Sequence, residues 1–172
     1  MKTFILALLV CLAAGTTLVL AEPFGTKVDV PEKMLTSTHP NALDAMMVKN
    51  SKVPSQEAVN FPSYPDALIL QTQQPSPGVV NGEKVIPNHM IVMGTVEPVD
   101  QVVSFYQKQL SDWTHKEKWG NHIFHKGDKP FELMSISSMS TAHIQIREAL
   151  PGENPFMQDM KTLIEIYYRP QL

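Results

Sequence analysis

One stretch of this chain repeats its apolar residues with the period of a helix for three turns. Val99, Val102, Val103, Tyr106 and Leu110 fall at i, i+3, i+4, i+7 and i+11, a single stripe on a 3.6-residue helix. Phe105 widens the stripe. Pro98 stands in the first turn, where a missing amide costs nothing. Asp100 follows it, where the helix dipole favours an acid. The spacing predicts one strong helix over residues 98–110, with an apolar face that needs a sheet to cover it.

The flanking segments supply strands. Residues 67–70 are short and apolar, after Tyr64-Pro65-Asp66. Residues 89–96 are apolar on both faces through Met90, Ile91, Val92 and Met93, as a central strand should be. Residues 113–118 and 122–126 flank the turn Trp119-Gly120-Asn121. Residues 131–138 read as a strand with Met134 and Ile136 on one face. Residues 143–149 and 163–169 alternate: Ile144 and Ile146 oppose His143, Gln145 and Arg147, and Ile164, Ile166 and Tyr168 oppose Glu165, Tyr167 and Arg169. The order β-β-α-β-β-β-β predicts an α+β fold over residues 61–172. It is a single antiparallel sheet of about five to six strands, with one main helix on one face and polar residues on the other.

Residues 22–60 read differently. Pro23, Pro31, Pro40 and Pro54 interrupt them, which predicts an irregular N-terminal arm. A short helix over residues 41–48 is expected, with Asn41 as cap and Leu43, Met46 and Met47 on one face. The helix is expected either to pack on the domain or lie in a flexible arm, or else to meet a partner.

Residues 1–21 have the pattern of a secretory leader. Lys2 precedes the apolar run Phe4 to Ala14, and Leu18-Val19-Leu20-Ala21 precedes the first acid, Glu22. Cleavage is expected after Ala21, which places the mature chain in the periplasm or outside the cell. An uncleaved anchor and a lipoprotein modified at Cys11 are the alternatives. Without Lys2, 13 of the 14 basic residues face 17 acidic ones, a net charge of −4. That balance gives no case for a nucleic acid or an anionic membrane as partner. Cys11 is the one cysteine, so a mature chain has neither a disulfide framework nor a thiol nucleophile. No membrane span remains after leader removal.

Tyr64-Pro65-Asp66-Ala67, the helix from Glu97-Pro98 through Phe105-Tyr106 to Leu110, and Thr162-Leu163-Ile164-Glu165-Ile166 together resemble a type of small exported bacterial α+β domain. The likeness covers about residues 61–170. It implies a bacterial envelope setting and a fold, but no site. The long segment 151–161 and the arm depart from that pattern.

Three groups of residues are candidates for chemistry. His115, Glu117 and His122 gather on one side of a hairpin if its loop is Trp119-Gly120, a ligand set for zinc or copper. The alternative is an exposed polar hairpin. His143, Gln145, Arg147, Glu165, Tyr167 and Arg169 share an exposed sheet face if their strands pair, and tyrosine and arginine are frequent binding anchors. The alternative is a solvated face. Phe156, Met157 and Met160 make residues 151–161 an apolar loop that folds back or touches a partner. Nine methionines lie beyond Met1. Thioethers suit Cu(I), but Met90, Met93 and Met134 lie in apolar strands where methionine fills gaps. No G-x-S-x-G, H-E-x-x-H or glycine-rich phosphate loop occurs. Ser135, Ser137, Ser138 and Ser140 have no identifiable base. The expectation is an exported, non-catalytic binding domain with an envelope protein as partner and no cofactor. A periplasmic copper-binding protein is the second reading.

Overall fold

The computed structural model describes residues 21–80, 82–127, 131–132 and 135–170. The leader segment with Cys11, the Asp128–Pro130 part of a predicted turn, and Met134 lie outside the described residues. The elements run in the order β1 (Thr26–Lys27), a 3-10 turn (Glu32–Leu35), α1 (Ala42–Asn50), α2 (Gln56–Val59), β2 (Leu68–Gln73), β3 (Gly78–Val80), β4 (Glu83–Val85) and β5 (His89–Thr95). Then follow α3 (Val99–Gln109), β6 (Thr114–Lys118), β7 (Asn121–His125), α4 (Ile136–Ser140), β8 (His143–Glu148) and β9 (Thr162–Tyr168).

This α+β fold corrects the expected sheet. It has seven strands in the order β1-β2-β5-β9-β8-β7-β6, and β3–β4 form a separate two-stranded ribbon. The sheet is mixed, because β1 runs parallel to β2. Four helices are present among the described residues, rather than one main helix. Among the described residues of 131–138 there is no strand, and α4 begins at Ile136.

The arm is part of the fold. Phe24 and Val59 are buried in the main core, and Val28, Ala45 and Val48 are buried as well. Two residues of β1 are too few to show a period, so pattern reading passes over them. They are held by what surrounds them: the Val28 amide donates to the Ile69 carbonyl at 3.0 Å. Lys27 then reaches across to the C-terminus of α1. Its Nζ donates to the Val48, Lys49 and Ser51 carbonyls at 3.3, 2.9 and 3.0 Å, satisfying acceptors that a helix end leaves open. Lys27→Met is expected to lower stability by about 1 kcal/mol, read as a shift in the urea midpoint.

Helix α3 forms as the stripe predicts. Val102, Val103, Tyr106 and Leu110 are buried against Ile69, Ile91, Ile144, Ile146, Ile164 and Ile166. These isoleucines come from β2, β5, β8 and β9 and share one sheet face, because the registers pair Ile91 with Ile166 and Ile146 with Ile164. Phe105 meets Tyr64 edge-on at 5.1 Å.

The opposite face was expected to be open and polar; it is largely covered. A bulge in β2 lets Ile69 pair with Met93 and Gln71 with Val92, leaving Leu70 as the extra residue. Ile69 faces the main core and, by ordinary alternation, Leu70 faces a second one with Val28, Val48 and Leu163; the bulge turns Gln71 to that same second face. That second core is closed by α1 from above and by Phe156, Met157 and Met160 from the β8–β9 connection.

Candidate functional site

Helix α1 inverts the expected burial. It turns Ala45 and Val48 inward and leaves Leu43, Met46 and Met47 at 72%, 49% and 44% exposure. The small residues let the helix sit close to the sheet, and the large ones face outward. Asn41 stands at the N-cap position, but its side chain makes no cap hydrogen bond.

Beside this stripe lies a cleft of about 350 Å³. Its floor is the second sheet face: Leu70 and Gln71 of β2, Met90 and Val92 of β5, Leu163 and Glu165 of β9. Asp44, Met47 and Val48 of α1 form one wall. Arg147 of β8, with Glu153 to Phe156 of the connecting loop, forms the other. The loop is held at its ends by backbone: the Ala149 amide donates to the Lys161 carbonyl at 2.8 Å, and the Lys161 amide to the Thr95 carbonyl at 2.9 Å.

Arg147 and Glu153 clamp the loop to the sheet. Arg147 Nη1 donates to Glu153 Oε2 at 2.9 Å, and Nη2 donates to Oε1. Such a two-point pair fixes geometry as well as charge. The bond to Arg147 holds the Glu153 carboxyl below the usual range, against the opposing effect of burial. It also raises the guanidinium. Glu153 Oε2 further accepts from the Leu150 amide at 2.9 Å, so this carboxylate is committed to the loop. Glu165 is less committed. It accepts one hydrogen bond, from the Tyr167 hydroxyl at 2.7 Å. Burial, and then the Glu165 charge, push the Tyr167 hydroxyl up, so it stays protonated and donates.

The six residues predicted to share a face separate into three groups. Arg147 and Glu165 line the cleft. His143, Gln145 and Tyr167 make a polar cluster beside it. His143 is 2% exposed, and its ring stacks on Tyr167 at 4.2 Å and meets Phe131 at 4.6 Å. His143 Nδ1 donates to the Thr141 carbonyl at 2.7 Å, so Nε2 accepts from the Gln145 amide at 3.1 Å. Directly across the strand pair sits His125, also 2% exposed. Its Nε2 has no hydrogen-bond partner among the described residues. Burial, and then the nearby Lys116 charge, lower the His125 pKa. Arg169 is exposed at the far end of β9, turned toward Asn88 Oδ1 and the Ile86 carbonyl. Of the predicted loop residues, Phe156 lines the cleft. Met157 and Met160 instead fill space above Gly94.

The predicted metal set lies on the other face, at the far edge of the sheet. The two-residue loop Trp119-Gly120 places Glu117 opposite His122. Both loop residues have positive φ, 53° and 72°, as a tight hairpin of this length requires. His115 Nε2 and His122 Nδ1 are 3.3 Å apart, and Gln107 Nε2 is 3.2 Å from His115 Nδ1. An amide donates at the second contact, so His115 donates at the first. Both ring nitrogens of His115 are thus engaged in a hydrogen-bond chain. Burial and the His122 charge lower the His115 pKa, and Glu117 opposes them. Among the described residues, no three histidine, cysteine or acidic side chains are placed to hold one metal ion. Met90 and Met93 occupy opposite sheet faces, one in the cleft and one in the main core.

Sequence reasoning missed the cleft floor and two of its acids, Asp44 and Glu153. Gln71 carried a signal, as a polar residue directly after an apolar strand run. Nothing local marks Glu153 as the partner of Arg147.

Comparison with protein-family models, curated proteins and solved structures returned no match. Among the described residues, no helix is long and apolar enough to cross a membrane.

Proposed function

We propose that this chain is a non-catalytic binding domain, exported to a bacterial envelope, that docks a protein partner across the cleft and the α1 stripe. The observation that carries the reading is continuity. Met47 belongs to both features: it lines the cleft and completes the exposed run with Leu43 and Met46. A pocket with apolar walls and a few placed polar groups is the usual form of a binding site. Three large exposed apolar side chains beside it extend the area a partner would cover. The leader-like residues 1–21 support export, and the resemblance of residues 61–170 to exported bacterial domains supports the envelope setting. The absence of a base–nucleophile motif in the sequence supports a role in binding.

A photo-reactive amino acid at position 47 tests the reading in cells that make the protein. Position 119, where Trp119 is 76% exposed at the opposite sheet edge, is the control. A discrete cross-linked species from position 47 and none from position 119 is the expected result. Equal labelling from both positions, or none from position 47, would sink the docking surface.

A further inference from the structure

We infer that the occupant of this surface is a basic amphipathic peptide segment of the partner, with a Lys or Arg reaching Glu165 and Asp44 and apolar side chains on Leu43, Met46 and Met47. The inference rests on the docking reading above and adds the partner's chemistry.

Four charged side chains line the cleft: Asp44, Arg147, Glu153 and Glu165. Arg147 and Glu153 neutralise each other through their two-point bond. Asp44 and Glu165 remain; neither makes an ion pair among the described residues, although the Glu165 charge is felt at Arg147, and the four groups together sum to −2. Among the described residues Glu165 receives the Tyr167 hydroxyl at Oε2, which leaves Oε1 able to accept from a ligand. The cleft thus presents a net negative charge, with Asp44 and Glu165 outside any ion pair among the described residues, beside the apolar floor residues Leu70, Met90, Val92 and Leu163. An anionic occupant would meet like charge, which costs affinity and steers the wrong partner away. A wholly apolar occupant would strip water from Glu165 and leave it unpaired, which is expensive. A cationic head on an aliphatic stem meets both demands, since lysine and arginine lay their methylenes on apolar surface while the charge reaches a polar group.

The stripe outside the cleft argues for a peptide over a small amine. Leu43, Met46 and Met47 repeat at i, i+3, i+4 along α1, the spacing with which one amphipathic segment meets another. Methionine side chains adapt to varied apolar partners. A small cation would fill the cleft and leave that stripe uncovered.

Selection of a displayed random-peptide library on the full chain, followed by fluorescence anisotropy of one selected peptide, tests the inference. The expected peptides carry Lys or Arg beside large apolar residues. Their affinity should fall about tenfold in Glu165→Gln and in Asp44→Asn, fall similarly in Met47→Glu, and weaken as salt rises. Asp44→Asn guards against a folding defect in Glu165→Gln, because Asp44 is exposed on α1. Peptides that Met47→Glu releases but that both charge variants bind at full strength would overturn the basic chemistry while leaving the docking surface standing. Binding indifferent to Met47→Glu would overturn the docking surface itself. Displacement of the peptide by spermidine at matching affinity would make this a small-cation site and overturn the peptide proposal. A selection without basic sequences would do the same.

Discussion

Lowering the pH from 6.5 to about 4 is expected to remove about 3 kcal/mol of folding stability through His143 alone. The imidazole is 2% exposed, and its pKa is pushed down to about 4, chiefly by burial. The Thr141 carbonyl acts the other way, and the His125 charge adds to the depression. In the unfolded chain the ring takes a proton near pH 6.5. In the folded chain it does not until about pH 4. The unfolded state therefore binds more protons through that window, and stability falls as pH falls. Above pH 6.5 the contribution is fully present; below pH 4 its loss is complete. Among the described residues, Lys116, His125, Tyr167 and, behind Tyr167, Glu165 are titratable groups beside this cluster. Lys116, and His125 when protonated, add positive charge, Glu165 is an acid bonded to Tyr167, and Tyr167 stays neutral. His125, also held below its ordinary value, adds to the loss below pH 6.5, and the clamp carboxylate Glu153 adds one of its own below its ordinary pKa of 4.5, overlapping the His143 window only at its acid end.

Urea melts at pH 7.5, 5.5 and 4 measure the effect. His143→Phe keeps an aromatic ring between Phe131 and Tyr167 and removes the proton site. It leaves the Gln145 amide without the ring acceptor and removes one of two donors from the Thr141 carbonyl, which still accepts from Asn88 Nδ2 at 2.6 Å, so the variant starts less stable at neutral pH. Its dependence on pH between 6.5 and 4 should fall by more than half. A variant that keeps the full acid loss would show that His143 is not its source.

What could be read in the sequence was what repeats locally. The stripe of α3 and the alternation in β8 and β9 encode which side is buried, because a helix or strand exposes one face to a core. The hairpin at Trp119-Gly120 was legible for a different reason: its turn residues take up positive φ. What escaped depends on contacts between distant segments. Two-residue β1 exists because Phe24 and Val28 find buried places across the sheet. The bulge at Leu70 breaks the period of two, so that Leu70 and Gln71 turn to the same face and both meet the cleft. In α1 the large apolar residues suggested the inward face, yet close approach to the sheet selected Ala45 and Val48. The candidate site shows the same division. Alternation placed Arg147 and Glu165 on a common face, but the cleft between them exists only because α1 and residues 149–161 fold over it.

That covering loop depends on one residue lacking a side chain. Gly94 lies in central strand β5, between Leu68 of β2 and Leu163 of β9. A Cβ there would overlap Met160 Sδ and stand 3.1 Å from both Leu70 Cδ1 and Met157 Sδ. Gly94→Ala is expected to cost about 1 kcal/mol, because the thioether is the flexible end of a long side chain and can turn aside. Gly94→Leu leaves no such escape, since its branch meets Leu70 and both methionines at once. It is expected to cost about 3 kcal/mol and to lift the methionines from the strand. The loop carries Phe156 and Glu153, so the cleft wall should move with it. Limited proteolysis would then cut within residues 150–161 before the rest of the chain, and peptide affinity would fall along with the urea midpoint. A leucine variant as stable as the parent, with its loop still protected, would mean that Met157 and Met160 are incidental to the fold. In that case the loop would be held by the Arg147–Glu153 pair and the backbone bonds at its ends, and opening that pair with Glu153→Gln would become the stronger perturbation of the cleft.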